Sequence, residues 1–162
     1  MEQIAYGVYM LPELGLELPP EQIEFLAVAK RTPKAVICLE SALSYHEITT
    51  RIPQAVHFAL PYGVKSPKYR QLTVQSYNFS ASTYDAGVTI IHTKAGDFKV
   101  YSPEKTLADC FKFRNQLGKE LLLEALELYP QTHPVKASEL MKYARLCRVE
   151  KVMRPYLEAM LH

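Results

Sequence analysis

The chain has 162 residues, of which 48% are hydrophobic and 22% are charged, and its formal net charge at neutral pH is +2. This length predicts one domain with a substantial core, and the composition excludes a disordered chain. The small net charge neither requires nor excludes a nucleic-acid partner, because a local basic face can exist within a balanced total.

The sequence carries no sign of a membrane or secreted protein. No apolar run approaches the ~18 residues of a membrane span, and no signal peptide is recognisable, so we expect no membrane partner. Cys38, Cys110 and Cys147 are odd in number, widely spaced and set among apolar residues. They predict buried thiols in a reducing compartment rather than disulfides or metal ligands. We therefore expect a cytoplasmic protein without a metal or cofactor.

The first third of the chain predicts one strand and two helices. Residues 4–10 are favourable for a short strand. A helix begins at Pro20 and ends before Pro33, because the residue that precedes a proline disfavours helix. A brief apolar run over residues 35–38 leads into a second predicted helix over residues 39–48.

The middle of the chain predicts strands. Four short runs rich in β-branched and aromatic residues are separated by proline, glycine and asparagine, which favour turns. A hairpin turn is predicted at residues 95–97, between the last two runs. The four predicted strands cover residues 55–60, 72–77, 88–93 and 98–101.

Everything after Ser102 predicts helix. The first helix ends near Gly118, a leucine-rich helix covers residues 119–129, and a third ends at about Cys147. In the last helix seven apolar residues from Val149 to Leu161 share one face, and Pro155 is expected to kink that helix or mark its start. The predicted class is α+β, with a short mixed or antiparallel sheet in the first two-thirds and a helical C-terminal third.

The start of the helix after Ser102 carries good capping residues. Ser102 is a favourable N-cap, Pro103 suits the first helical position, and Glu104 places a carboxylate near the positive end of the helix dipole. Five charged residues of this helix form a candidate functional surface. They are Glu104, Lys105, Asp109, Lys112 and Arg114.

A helical wheel divides these charges between two faces. Lys105, Asp109 and Lys112 lie opposite the apolar arc, at spacings that favour a solvent-exposed row of ion pairs. Arg114 falls inside the apolar arc, so either its guanidinium has a carboxylate or carbonyl partner or the helix packs against something polar. We expect it either to reach solvent at the edge of the core or to make a functional contact.

No catalytic motif is present. The sequence has no phosphate-binding loop, nucleophile elbow, dinucleotide fingerprint or His-x-x-x-His pair. Glu104 and Asp109 are five residues apart and point to different helix faces, which makes them a poor acid–base pair. We predict that the protein is not an enzyme. The alternative is a nucleic-acid-processing enzyme whose carboxylates converge only in the folded chain.

Two groups of basic residues are candidate contacts for nucleic acid or for a protein partner. The first group lies in a predicted loop and the second recurs every three residues, so that it forms one face only if the chain bends near residues 147–150. A solvated exterior and a binding surface both remain open, and a generic helical interaction module is a further alternative. The first group is Lys65, Lys68 and Arg70, and the second is Lys142, Arg145, Arg148, Lys151 and Arg154.

Four stretches in order resemble the AbiEi-type antitoxins, transcriptional regulators of bacterial abortive-infection systems. They are Tyr6–Pro12 (YGVYMLP), Cys38–Thr49 (CLESALSYHEIT), Tyr101–Arg114 (YSPEKTLADCFKFR) and Tyr143–Glu158 (YARLCRVEKVMRPYLE). The resemblance implies an antitoxin of a type IV toxin–antitoxin system that counteracts a nucleotidyltransferase-like toxin in phage defence. It also implies an N-terminal winged helix-turn-helix that binds operator DNA and a C-terminal antitoxin domain.

The resemblance divides the chain into two parts. Residues 1–16 resemble the last wing strand of the winged helix, and residues 17–162 resemble the antitoxin domain. Only five residues precede Tyr6, so the helices that would enter the DNA groove are expected to be missing from this chain. Operator DNA is therefore an expected partner only of a protein that carries those helices.

Overall fold

The structure is a computed structural model that describes residues 18–161 and the strands Gln3–Ile4 and Val8–Tyr9. This part of the chain is α+β, with a five-stranded mixed sheet in the first two-thirds and helices in the C-terminal third, so the predicted fold class is confirmed. The strands are β1 (Gln3–Ile4), β2 (Val8–Tyr9), β3 (Val36–Ile37), β4 (Val56–Pro61), β5 (Val74–Phe79), β6 (Val88–Thr93) and β7 (Gly96–Tyr101). The helices are α1 (Pro20–Arg31), α2 (Leu39–Tyr45), α3 (Ala81–Asp85), α4 (Pro103–Lys112), α5 (Arg114–Leu117), α6 (Lys119–Thr132), α7 (Ala137–Leu146) and α8 (Glu150–Leu161).

The sheet has the strand order β5-β4-β3-β7-β6. Strand β3 pairs antiparallel with β4 and parallel with β7, and β4 pairs parallel with β5. Parallel neighbours need a connection of about a dozen residues or more, which residues 62–73 supply without a helix. Strands β6 and β7 form the predicted hairpin, with Thr93 opposite Gly96.

The two faces of the sheet bury different side chains, because successive residues of a strand point in opposite directions. On one face Ile37, Phe58 and Val100 pack with α1. On the other face Val36 and Tyr101 pack with α4 and the helices around it. Helix α4 is central to the C-terminal half and packs against α2, α6, α7 and α8.

Several predicted boundaries are wrong. Helix α2 ends at Tyr45 rather than at residue 48, and the short helix α3 has no counterpart in the sequence prediction. The helix after Ser102 ends at Lys112 rather than near Gly118, because Phe113 leaves helical geometry and stacks its ring on Phe79. Helix α8 continues through Pro155, which therefore does not mark its start.

The N-terminal prediction falls mostly outside the described residues. The prediction of one strand over residues 4–10 is wrong, because the structure has two short strands here, β1 and β2, which pair antiparallel. Residues 5–7 and 10–17 lie outside the described part, and with them most of the segment that resembles a wing strand. No helix in the described part of the chain is long and apolar enough to cross a membrane.

Candidate functional site

Helix α4 begins as the sequence predicts. The Ser102 side-chain oxygen accepts a hydrogen bond from the Lys105 backbone N–H at 3.2 Å, and Pro103 occupies the first helical position. This cap satisfies one of the N–H groups that a helix start leaves without a partner. The helix therefore starts at a fixed residue, which sets the faces on which its charged side chains lie.

The predicted exposed row of charges is wrong for two of its three members. Lys105 Nζ lies 2.7 Å from Asp109 Oδ2, and both side chains are completely shielded from solvent. The helical wheel did not predict this burial because it treats one face of the helix as exposed to solvent, whereas neighbouring helices surround α4. Only Lys112 is exposed, as predicted.

Aromatic rings and a thiol complete the surroundings of this buried ion pair. Lys105 Nζ lies 3.9 Å from the centre of the Tyr101 ring and 5.0 Å from that of Phe79, where the negative ring faces attract a cation. The Cys147 thiol donates a hydrogen bond to Asp109 Oδ1 at 3.4 Å. Burial raises the pKa of Asp109 to about 6, and the adjacent Lys105 ammonium opposes that rise.

Glu104 is also buried but has a separate partner. Its Oε2 accepts a hydrogen bond of 2.6 Å from the Tyr129 hydroxyl of α6, and that hydroxyl accepts one of 3.0 Å from the Lys136 backbone N–H. Glu104 and Asp109 thus point to different neighbours, as their spacing predicts. Because both carboxylates are shielded and engaged, neither is available to a substrate in this conformation.

Arg114 lies away from the core. It is half-buried at the start of α5, and its Nη1 donates a hydrogen bond of 2.8 Å to the Phe111 carbonyl at the end of α4. The Phe111 carbonyl is one of the partners expected for Arg114, but the predicted position in the apolar arc of the helix is wrong, because α4 ends at Lys112. The structure therefore separates the five candidate charges: three lie in the core, Lys112 is exposed, and Arg114 lies beside a groove.

That groove is about 500 Å³ in volume and lies between α4, α5, α6 and α8. We call it the helical groove. Its walls are largely apolar, with two cations and one amide at the edge, and the sequence did not reveal it because four separate elements form it. Its lining residues are Phe111, Arg114, Asn115, Lys119, Leu122, Leu123, Leu126, Val152 and Tyr156.

The basic loop between β4 and β5 is exposed where it carries charge. Lys65, Lys68 and Arg70 are exposed, and none of them has an ion pair within the described residues. Tyr69 holds the loop against α1, since its hydroxyl shares a hydrogen bond with the Thr32 hydroxyl. The loop therefore presents three cations from an anchored backbone.

The C-terminal basic residues differ in how far they are already paired. Arg145 and Arg154 both contact Glu150, at 2.9 Å and 3.1 Å, which joins the end of α7 to the start of α8. Arg148 and Lys151 are exposed at the bend between these helices and have no ion pair within residues 18–161. The chain thus bends near residues 147–150, which is the condition for a single basic face. Lys142 forms a weaker exposed pair with Glu139 at 3.8 Å.

A second concave region, which the sequence did not reveal, is polar. This cleft of about 470 Å³ includes Glu40, Gln116, His57 and Tyr77. The His57 ring stacks on Tyr77, and its Nδ1 is 3.0 Å from the Tyr77 hydroxyl. Burial lowers the pKa of His57 and raises that of Tyr77 to about 12, so both are neutral near pH 7. Among the described residues, no cluster of His, Cys, Asp or Glu is arranged to hold a metal.

Comparisons with known proteins add no assignment to this geometry. Neither protein-family models nor curated proteins give a match to this chain.

Proposed function

We propose that the chain is the antitoxin and transcriptional-regulator component of a bacterial abortive-infection toxin–antitoxin system and counteracts a nucleotidyltransferase-like toxin. The resemblance of four ordered stretches to AbiEi-type antitoxins supports this proposal. The burial of charge in the central stretch, Tyr101–Arg114, supports it further, since most of the charged side chains of this stretch are buried and have partners inside the protein. Lys105 pairs with Asp109, and Glu104 binds Tyr129, so this stretch serves as the framework of a domain rather than as an active site.

If the central stretch is framework, the exposed charges are the available contact surface. Arg148 and Lys151 lie at the bend between α7 and α8 and lack intramolecular carboxylate partners in the described part of the chain. Lys65, Lys68 and Arg70 form a second such group. Unpaired cations lose little on binding an anionic partner, because no internal ion pair must be broken first.

Co-expression tests the antitoxin function. The chain is expressed in cells that also express a nucleotidyltransferase-like toxin from the same locus, and growth is followed with an empty vector as the control. We expect the chain to relieve growth arrest, and Lys105→Met to relieve it less, because loss of one partner of the buried ion pair destabilises the fold. Growth arrest that persists while the chain accumulates in folded form, judged by circular dichroism of the purified protein, would contradict the proposal.

Contact with duplex DNA is a second function that the unpaired cations favour. Each phosphate contact adds about 0.9 to the dependence of log K on log salt concentration. The double variant Arg148→Ala/Lys151→Ala should lower that slope, whereas the matched variant Arg145→Ala/Arg154→Ala should change it less, since Glu150 already pairs with both arginines. Binding that does not depend on salt would favour a protein partner.

A nucleic-acid-processing enzyme is the alternative function, and the polar cleft is the best candidate for its active site. There His57 and Glu40 both line the cleft and are both half-buried, unlike the shielded Glu104 and Asp109. Nuclease activity on single- or double-stranded substrates, measured with and without Mg²⁺, tests this alternative. Activity that His57→Ala removes without loss of thermal stability would favour the enzyme over the antitoxin.

A further inference from the structure

The helical groove has the build of a small-molecule site. Ligand pockets are typically about 300–1,000 Å³ in volume, largely apolar, and carry a few polar groups at fixed positions. The groove is about 500 Å³, and its walls include Phe111, Leu122 and Val152. Leu123 and Tyr156, at its rim, are 42% and 37% exposed, so large apolar side chains remain in contact with solvent there.

The charges beside these apolar walls are all positive. Arg114 and Lys119 line the groove, and neither has a carboxylate within ion-pair distance in the described residues. Arg114 donates one hydrogen bond from Nη1 to the Phe111 carbonyl. A guanidinium has five N–H donors, so most of its donors remain for a ligand.

The start of α6 places free backbone N–H groups at the same end of the groove, although its first turn also carries Glu120, which does not line the groove. Lys119 is the first residue of this 14-residue helix, and the preceding Gly118 gives no side-chain cap. The first N–H groups of such a helix and its dipole favour an anion. The cations, the helix start and the apolar walls together match a ligand with an anionic head and an apolar body.

We propose that the helical groove binds an amphiphilic organic anion, a carboxylate whose alkyl or aryl body lies against Leu122, Leu126 and Val152. Its head group accepts hydrogen bonds from Arg114 and Lys119, and Tyr156 covers the body from the rim. This site is independent of the antitoxin function and of any DNA contact.

Calorimetric titration of the full chain with decanoate, below its micelle concentration, tests the proposal. We expect saturable binding of one decanoate, and at least about tenfold weaker binding of uncharged decanol, because charge-assisted hydrogen bonds are then lost. Lys119→Gln should weaken decanoate binding about fivefold or more, and Leu123→Ala should weaken decanoate and decanol alike. Lys112→Gln removes an exposed cation of α4 outside the groove and should change neither affinity.

Three results would overturn the proposal. The first is the absence of saturable decanoate binding to a chain that unfolds cooperatively. The second is equal binding of decanoate and decanol, or binding that Lys119→Gln and Arg114→Gln leave unchanged. The third is a stable dimer, seen by light scattering, that Leu123→Glu converts to monomer, since the groove would then be an interface between two copies of the chain.

Discussion

Lys105 Nζ and Asp109 Oδ2 lie 2.7 Å apart in the interior of the protein, one helical turn from each other on α4 and without contact to solvent. Removing one partner of a buried pair leaves an uncompensated charge, whereas replacing both by apolar residues of similar size is often neutral. The pair is therefore expected to show strong coupling rather than a large net contribution to stability.

The first prediction concerns this coupling. Lys105→Met alone should lower the free energy of unfolding by about 3–5 kcal/mol, because Asp109 then stays buried without its ammonium. The double variant Lys105→Met/Asp109→Leu should lose much less, and urea denaturation measures both. The exposed control Lys112→Met should change stability by no more than about 0.5 kcal/mol. Additive losses in the double variant would contradict a coupled pair.

The second prediction concerns the carboxylate that starts the same helix. Tyr129→Phe removes the hydroxyl that donates to Glu104 and accepts from the Lys136 N–H. A buried acceptor that loses its donor costs about 1–3 kcal/mol, and we expect a loss of that size in urea denaturation. Tyr62→Phe, at a side chain that is 84% exposed, is the matched control and should be nearly neutral. Similar small losses for both variants would show that Glu104 finds another donor.

Local features of α4 could be predicted from the sequence, but its burial could not. The Ser102 cap and the hydrogen bond of Arg114 to a carbonyl depend on residues within four positions; the cap is confirmed, and the carbonyl is one of the expected partners. The shielding of Lys105 depends on Tyr101 and Phe79, and that of Asp109 on Cys147, 38 residues further along. A helical wheel contains no information about Phe79 or Cys147, which are far from α4 in the sequence.

On the surface, too, features that depend on nearby residues could be predicted, and features that depend on distant residues could not. A helix boundary near Arg148 and Lys151 was predictable, since the sequence indicates that one helix ends at about Cys147 and another follows it. Which of these basic residues form ion pairs could not be predicted, because Glu150 contacts Arg145 across the turn between the two helices. The helical groove was also hidden, because its walls come from four helices.

The third prediction is a pH dependence from His46. Its Nε2 is 2.7 Å from the Tyr101 carbonyl, with His133 and Glu104 nearby, and burial lowers the pKa of its imidazole. The unfolded chain takes up a proton near pH 6.5 while the folded chain resists it, so stability falls as pH decreases through about that value.

Urea denaturation between about pH 7.5 and pH 5 measures this effect. His46→Gln, which keeps a donor for the carbonyl, should reduce this loss of stability without removing it, because burial also lowers the pKa of His57. His92→Gln, at an exposed histidine on β6 that contacts Asp97, is the control for loss of an imidazole elsewhere. If His46→Gln and the wild type lose stability in parallel, the dependence has another source.

The fourth prediction uses a glycine that lies against the buried lysine. Gly87 has φ +75°, and a Cβ at this position would be 2.7 Å from Lys105 Cβ and 2.9 Å from its Cγ. The Gly87 carbonyl accepts a hydrogen bond of 2.8 Å from the Ser102 N–H, so the backbone cannot move away without weakening the start of α4.

Gly63→Ala is the matched control, because Gly63 has φ +85° but no atom within 4 Å of the position that an alanine methyl would occupy. Both substitutions carry the penalty of a left-handed backbone, about 1–2 kcal/mol. Only Gly87→Ala adds crowding, which typically costs a further amount of about 1–3 kcal/mol. We expect that difference in urea denaturation; equal losses would mean that the Lys105 side chain shifts freely, and the buried ion pair would then be less tightly held than its 2.7 Å distance indicates.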